Sequence, residues 1–181
     1  MGIMAWAMSF AVYAKANTLR VFGEPRKGSF PISEAYLVYA PEDGKTVEKV
    51  TGLLSEDIFR VTGKKVGMRT EVAGGHPVIL GIHGKGNGLI SRMVEEGRLD
   101  VSSLEGGCEQ FIIRRVENPL PGVKDALVIV GSDRRGVAYG AFTLSEAMGV
   151  SPFYWWADVP VERRARLWVK ADYVSDKPSV C

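Results

Sequence analysis

Three stretches of the chain place apolar residues three or four positions apart, which is the spacing of one face of an α-helix. Each stretch is also bounded by residues that suit the ends of helices: a short polar side chain before the first turn and a glycine after the last. The predicted helices are 43–63, with Asp43 as the cap and Gly63 as the stop; 87–97, with Asn87 and Gly97; and about 134–148, with Ser132 or Asp133 as the cap and Gly149 behind it.

Short apolar runs between turn residues predict β-strands around these helices. The run 126–130 is apolar on both alternating faces, which is typical of a central strand covered on both sides, whereas charges break 111–116 and favour a place nearer an edge. The order of elements predicts an α/β fold: a mixed β-sheet flanked by helices in a two-to-three-layer sandwich. The predicted strands are 35–40, 66–72, 77–82, 110–116 and 126–130.

The 181 residues fit one domain with a single core. Residues 1–16 form an apolar run that ends in Ala14-Lys15-Ala16, the small-x-small pattern at which signal peptidase cleaves, so we expect a signal peptide there and a secreted or periplasmic product. Its positive n-region is incomplete. The remainder divides into a domain at 17–174 and, at 175–181, the start of a turn-forming linker.

Charge and composition exclude several classes of function. The formal net charge is +2, and basic residues are interspersed with acidic ones, so nucleic acid is not an expected partner. The hydrophobic share of 46% and the charged share of 24% are those of a globular protein. The two cysteines, Cys108 and Cys181, have no metal or redox spacing, and we do not expect a disulfide between them.

The glycine-rich stretch 81–88 lies between a predicted strand and a predicted helix, where phosphate-binding loops occur. However, Lys85 is followed by Gly86 rather than by Ser or Thr, and the third glycine of a dinucleotide-binding loop is missing. His76 and His83 lack partners at metal-ligand spacing. No serine lies in a nucleophile elbow, and no pair of carboxylates has an apolar setting. The sequence therefore predicts no catalytic residue, cofactor or metal site.

The run 151–160, Ser-Pro-Phe-Tyr-Trp-Trp-Ala-Asp-Val-Pro, holds four consecutive aromatic residues after the third helix. Aromatic side chains fill cores, anchor interfaces and stack on sugars, so a domain core, a docking surface and a carbohydrate contact all remain open. Adjacent residues of an extended segment point to opposite faces, so Trp155 and Trp156 can hardly both fill one core. One of them is expected to face a partner.

Two stretches together resemble the N-terminal domain of glycoside hydrolase family 115, the xylan α-1,2-glucuronidases. They are 131–140, Gly-Ser-Asp-Arg-Arg-Gly-Val-Ala-Tyr-Gly, and 144–160, Leu-Ser-Glu-Ala-Met-Gly-Val-Ser-Pro-Phe-Tyr-Trp-Trp-Ala-Asp-Val-Pro. The stretch 89–106 resembles the corresponding helix and turn of that family. Cys108 departs from the pattern, since an aromatic residue is expected there. The likeness extends over roughly residues 19–178.

The resemblance implies that the chain is the accessory, non-catalytic domain of a secreted enzyme that removes glucuronic acid or 4-O-methylglucuronic acid from xylan with inversion. Family members are multi-domain and often homodimers, and this domain precedes a (β/α)8 barrel that carries the catalytic residues. The implied partners are that barrel and, through the whole enzyme, glucuronoxylan; the fragment alone is expected to be inactive. The alternative is a free-standing secreted carbohydrate-binding module that uses surface tryptophans.

No catalytic residue can be transferred to this chain, because the resemblance ends before the first barrel strand. As a hypothesis, six residues at the start of the third helix and in the aromatic run face the barrel or its substrate. They are Asp133, Arg134, Arg135, Trp155, Trp156 and Asp158.

Overall fold

The protein is a seven-stranded mixed sheet with helices on both faces, as seen in a computed structural model that describes residues 17–84, 88–152 and 160–178. The strand order is β1-β7-β5-β6-β4-β2-β3. The strands are β1 (Thr18–Phe22), β2 (Tyr36–Tyr39), β3 (Met68–Arg69), β4 (Pro77–Ile82), β5 (Phe111–Leu120), β6 (Val123–Gly131) and β7 (Trp168–Val174). The α-helices are α1 (Lys45–Thr62), α2 (Gly88–Glu95) and α3 (Arg134–Ala147).

Two halves with different strand directions make up the sheet. Strands β3, β2, β4 and β6 run parallel to one another, and their connections carry α1 and α2. Strands β5, β7 and β1 add to the other side of β6 in antiparallel order. The predicted α/β fold with a mixed, helix-flanked sheet is confirmed.

A hydrophobic core lies on each face of the sheet, and β6 contributes to both. Leu127 and Ile129 pack on the face covered by α1 and α3, whereas Val128 and Val130 pack on the face that α2 covers. All four side chains are fully buried. A central position for 126–130 was predicted from its uninterrupted apolar sequence, and the structure confirms it.

The predicted place of β5 near an edge is wrong, since this strand lies between β7 and β6. The two arginines that break its apolar run are paired with carboxylates of neighbouring strands. The Arg114 side chain is largely buried and donates from Nε to Asp172 Oδ1 of β7 at 3.0 Å. On the opposite face, Arg115 Nε donates to Asp125 Oδ2 of β6 at 3.2 Å. Neighbouring strands supply the carboxylates, which a sequence pattern within one strand does not reveal.

Two strands, β1 and β7, were not predicted. Each largely alternates apolar and polar or charged residues over a short length, and their partners are distant in sequence: β1 pairs with β7, and β7 also pairs with β5 and with Phe30. The predicted strand 66–72 is also shorter than expected, because only Met68–Arg69 pairs with β2. Local pattern is a weak signal for strands that depend on distant partners.

The side chain of Asn17 joins the first strand to the end of the last. Its Nδ2 donates to the carbonyl oxygen of Val174 at 2.9 Å, and the N–H of Val174 donates to Asn17 Oδ1 at 2.7 Å. Both backbone groups at the end of β7 are therefore satisfied by one amide. Residues 17 and 174, which bound the predicted domain, lie side by side.

The helix ends agree with the predictions in part. Gly63 (φ 71°) and Gly149 (φ 100°) adopt the left-handed conformation after α1 and α3, as predicted. The cap of α1 is not Asp43 but Gly44 (φ 87°), and the Asp43 side chain turns away to accept from the N–H of Ile82 at 3.2 Å. Because the Asp43 carboxylate accepts from the buried N–H of Ile82, it does not cap α1.

Several predictions concern residues that lie outside the described part of the chain. These are the predicted signal peptide 1–16, the cap Asn87, the aromatic residues 153–156 and residues 179–181. Among the residues that the structure describes, no helix is long and apolar enough to cross a membrane.

The buried carboxylate of Asp125 supplies a stability test. Asp125 is 7% exposed and accepts from Arg115, while its Oδ1 lies 3.0 Å from His76 Nδ1. Replacing Asp125 with Ala removes an acceptor from both partners, so we expect the free energy of unfolding to fall by about 2 kcal/mol. Urea unfolding measures this loss. Glu117→Ala, which removes the exposed partner of Arg115, serves as the control and should change stability by less than about 0.5 kcal/mol. Equal losses in the two variants would contradict the role given to Asp125.

Candidate functional site

A pocket lies outside the carboxyl ends of the parallel strands β2, β4 and β6. Helices α1 and α3 leave this edge toward one face of the sheet and α2 leaves toward the other, and such points of divergence are where open α/β sheets form ligand crevices. Its volume is about 400 Å³. The lining residues are Asp43, Ile82, Cys108, Glu109, Asp133, Arg134 and Arg135.

Asp133 ties the start of α3 to the loop that precedes β5. Its Oδ1 accepts from the N–H groups of Arg135 at 2.8 Å and Gly136 at 2.9 Å, which caps the helix as predicted. Its Oδ2 accepts from the N–H of Glu109 at 2.9 Å. One carboxylate thus holds three backbone donors from two segments.

These contacts set the ionisation of Asp133. Partial burial, the largest single influence, acts to raise its pKa, but the N–H donors of Glu109, Gly136 and Arg135 and the Arg135 charge together hold the pKa below its ordinary value. The carboxylate is therefore ionised at neutral pH, which suits its position at the N-terminus of α3.

The side chains of Arg135 and Glu109 form an ion pair across the rim of the pocket. The hydrogen bond to Glu109, followed by the charge of that carboxylate, raises the pKa of Arg135 further above its already high value. Arg134 is exposed, and no ion pair joins it to another residue of the described chain. Arg134 is thus the cation at this rim that a ligand or a partner surface can reach without displacing a carboxylate.

Three glycines let α3 approach the sheet closely. A Cβ on Gly131 would lie 2.3 Å from the nitrogen of Val137, and one on Gly136 would lie 2.2 Å from the carbonyl oxygen of Gln110. A Cβ on Gly140 would lie 2.7 Å from a methyl group of Ile129. Packing thus explains why glycine stands at these three positions of 131–140. The neighbouring backbone and side-chain atoms leave no room for a larger residue at any of them.

Cys108 departs from the expectation of free thiols, because it is disulfide-bonded. The second cysteine of the sequence, Cys181, lies outside the described residues. The expectation rested on chain size and cysteine spacing, which say nothing about which loops of the fold lie close together. A disulfide also removes Cys108 as a nucleophile or thiolate ligand at this pocket.

The structure therefore brings together three of the six candidate residues. Asp133, Arg134 and Arg135 line one pocket, whereas Trp155, Trp156 and Asp158 lie outside the described residues. Sequence analysis missed Asp43 and Glu109 as lining residues. Both lie in loops that the order of strands in the sheet brings close to α3. No pattern in the neighbouring sequence indicates this proximity.

The outer side of α3 carries a stripe of exposed residues that begins at the pocket. Arg135, Tyr139 and Phe142 follow one another at helical spacing, and Tyr139 and Phe142 are 47% and 45% exposed. Beside Phe142, a groove of about 360 Å³ separates α3 from α1. Its lining also includes Leu53 of α1 and Val150 after α3.

The carboxylates that line the pocket make hydrogen bonds and an ion pair within the domain. Asp133 is committed to backbone donors, Glu109 to Arg135, and the Asp43 carboxylate accepts from a buried N–H. Within the described ranges, no group of three or more His, Cys, Asp or Glu side chains could hold a metal ion. What the rim offers to a partner is positive charge from Arg134 and the adjoining aromatic stripe.

Comparison with known proteins gives a partial match. No protein-family model matches the sequence, and no curated protein matches it. Among solved structures, the fold resembles part of a family GH115 4-O-methyl-α-glucuronidase, BtGH115A, with specificity for decorated arabinogalactans. The TM-score is 0.63 at 27% identity, over 81% of this chain but 18% of that one. The structure of CpGH84D matches at a TM-score of 0.48 and 12% identity, over 87% of this chain and 21% of that one.

The likeness to the glucuronidase alone supports a GH115-like domain and, more generally, a domain of a glycoside hydrolase. The chain spans less than a fifth of the length of the glucuronidase that it matches.

The close approach of α3 to the sheet can be tested at Gly136. Replacing Gly136 with Ala places a methyl group against the backbone of Gln110, which neither segment can relieve by a side-chain rotation, so we expect a loss of about 3 kcal/mol in the free energy of unfolding. Thermal and urea unfolding measure the loss. Gly52→Ala is the matched control: it lies within α1, where an added Cβ would meet only Met68 Sδ at an ordinary contact distance of 3.8 Å, and alanine there should stabilise the protein by about 0.5–1 kcal/mol. A neutral Gly136→Ala variant would show that the approach is not tight.

The cap carboxylate of Asp133 should make stability depend on pH. Its pKa is lower in the native state than in the unfolded chain, so its contribution is complete above the unfolded value of 3.8 and is lost as the pH falls through the native pKa. Asp133→Asn keeps a cap without the charge, whereas Asp133→Ala should cost about 1–2 kcal/mol at pH 7. Urea unfolding from pH 7 to 3 should show the stability difference between the native protein and Asp133→Asn shrinking below about pH 4. A difference that stays constant over this range would refute the assignment.

Proposed function

We propose that this chain is the N-terminal, non-catalytic α/β domain of a secreted xylan α-1,2-glucuronidase, and that it acts by packing against and orienting a (β/α)8 barrel of the same full-length chain. The observation that carries the proposal is the match to a GH115 glucuronidase over most of this chain but only 18% of that enzyme. A domain that corresponds to such a small part of an enzyme needs the remainder for activity.

The make-up of the pocket supports a role in orientation rather than chemistry. Inverting hydrolysis of a glycoside requires one carboxylic acid and one carboxylate separated by enough space for a water molecule. Here the carboxylates of Asp133 and Glu109 are held by an N-cap and an ion pair. In (β/α)8 enzymes the catalytic groups come from the ends of barrel strands, which the proposed partner supplies.

The outer side of α3 is the surface that we assign to the barrel. Tyr139 and Phe142 expose nearly half of their surface, and large aromatic side chains of this kind are typical anchors of domain interfaces. Arg134 and Arg135 lie in the first turn of α3, where their positive charge can contact a neighbouring domain. The hypothesis extends to Trp155, Trp156 and Asp158, which follow α3 in the sequence.

A direct test reads the coding DNA beyond codon 181 and assays the longest chain that it encodes. The proposal predicts a reading frame that continues into a (β/α)8 barrel. The longer chain should release 4-O-methylglucuronic acid from glucuronoxylan, while the 181-residue chain releases none. Release by the 181-residue chain alone, or a frame that encodes no barrel, would contradict the proposal.

The docking surface has its own test in the longer chain. Replacing Tyr139 and Phe142 with Ser should lower its melting temperature by several degrees and reduce turnover, because the anchors of the interface are lost. The same double substitution in the 181-residue chain should change stability by less than about 0.5 kcal/mol, since both side chains are exposed there. Phe59→Ser provides the control, because Phe59 is equally exposed at 45% but belongs to α1. If Phe59→Ser had the larger effect on the longer chain, α3 would not be the docking side.

A further inference from the structure

The strands β1 and β7 form one end of the sheet and present two different faces. On one face Leu19 and Val21 of β1 pack with Val169 and Ala171 of β7 against the core beneath α1 and α3. Side chains alternate along a strand, so the residues between them point to the other side. On that side the register places Arg20 opposite Lys170, and Phe22 opposite Trp168.

Arg20 and Lys170 are both exposed, and they form no ion pair with any residue of the described chain. Directly opposed residues in an antiparallel pair have Cβ atoms roughly 5 Å apart, and like charges in that position destabilise the pair. The nearest carboxylate in the ladder, Asp172, is already held by Arg114 at 3.0 Å. Arg20 and Lys170 therefore lie opposite each other, and no carboxylate of the residues that the structure describes forms an ion pair with either.

The aromatic pair lies next to these cations on the same face. Phe22 lies two residues after Arg20 in β1 and Trp168 two residues before Lys170 in β7, a separation of about 7 Å, and both side chains are partly exposed. The guanidinium carbon of Arg26 lies 5.8 Å from the centre of the Phe22 ring. A partly exposed tryptophan beside an uncompensated pair of cations combines a stacking surface with an anion site.

We propose that this face, defined by Arg20, Phe22, Trp168 and Lys170 and called the β1/β7 face below, binds an acidic carbohydrate chain. A pyranose ring stacks its C–H face on Trp168, and a uronic-acid carboxylate lies between Arg20 and Lys170. The anion relieves the repulsion within the cross-strand pair, which makes binding favourable beyond the two contacts themselves. The inference goes beyond the proposed function and does not rest on it, because the face belongs to this chain alone.

Charge and shape favour a carbohydrate over a nucleic acid. Strong binding of nucleic acid draws on a stripe of several cations that neutralises many phosphates, whereas this face has one uncompensated pair and the whole chain has a net charge of +2. A sugar needs only one carboxylate and one apolar face to engage both pairs of residues.

The test measures binding of three probes to the 181-residue chain by calorimetry at low and physiological salt. The probes are a glucuronic-acid-substituted xylo-oligosaccharide, the same oligosaccharide with its carboxyl group reduced to an alcohol, and single-stranded DNA of matched length. We expect the acidic oligosaccharide to bind at least tenfold more tightly than either of the others. Arg20→Gln with Lys170→Gln should weaken its binding at least tenfold, and Trp168→Leu should weaken both oligosaccharides.

A matched control removes the same charge elsewhere. Lys45→Gln with Lys49→Gln takes two exposed cations from α1, which lies against the other face of the sheet, and should leave binding unchanged. Circular dichroism checks that each variant is folded, and the Arg20 and Lys170 variant should melt no lower than the native protein because a repulsive pair has been removed.

Absence of binding, equal binding of the reduced oligosaccharide, or tighter binding of DNA would each overturn the proposal. None of these results bears on whether a barrel packs against α3, so the two proposals fail separately.

Discussion

The fold depends on how closely α3 approaches the sheet. Gly131 at the end of β6, Gly136 in the first turn of α3 and Gly140 one turn later leave no space for a methyl group. This approach seals the core beneath α3, where Val137, Ala141 and Leu144 are fully buried against the strands. It also fixes the position of the loop before β5, because Gly136 packs on the carbonyl group of Gln110. The shape of the pocket at this edge follows from that contact.

Polar groups stabilise the same junction. Asp133 holds N–H groups from both α3 and the loop, and Ser132 Oγ accepts from the N–H of Gln110 at 3.1 Å. Buried polar groups cost free energy unless their hydrogen bonds are made, and here the two segments supply partners for each other. The low pKa of Asp133 follows from these donors and from the Arg135 charge. The Asp133 carboxylate is thus a structural link between two segments at this edge of the sheet.

Sequence alone predicted the elements whose signals are local. Asp133 and Gly149 predicted the two ends of α3, and the apolar run 126–130 predicted the central strand. These signals lie within the elements that they predict or directly beside them. Failures came where the deciding partner is distant. Arg114 suggested an edge, yet Asp172, 58 residues further on, makes its burial tolerable. Asp43 suggested a helix cap, yet Ile82 supplies a donor from another strand. Sequence analysis missed two residues of the pocket for the same reason: Asp133, Arg134 and Arg135 are consecutive in the chain, whereas Asp43 and Glu109 join them only through the strand order.

The amide of Asn17 bonds to both backbone groups of Val174, so the polypeptide enters and leaves the sheet at nearly the same point. The first and last described strands of the domain are therefore joined at their outer ends. Whatever polypeptide precedes residue 17 and whatever follows residue 174 emerge as neighbours, regardless of their length. A force on either flank therefore acts first on β1 and β7, and separating these two strands from each other would leave the pairing of β2 with β4 and of β4 with β6 intact.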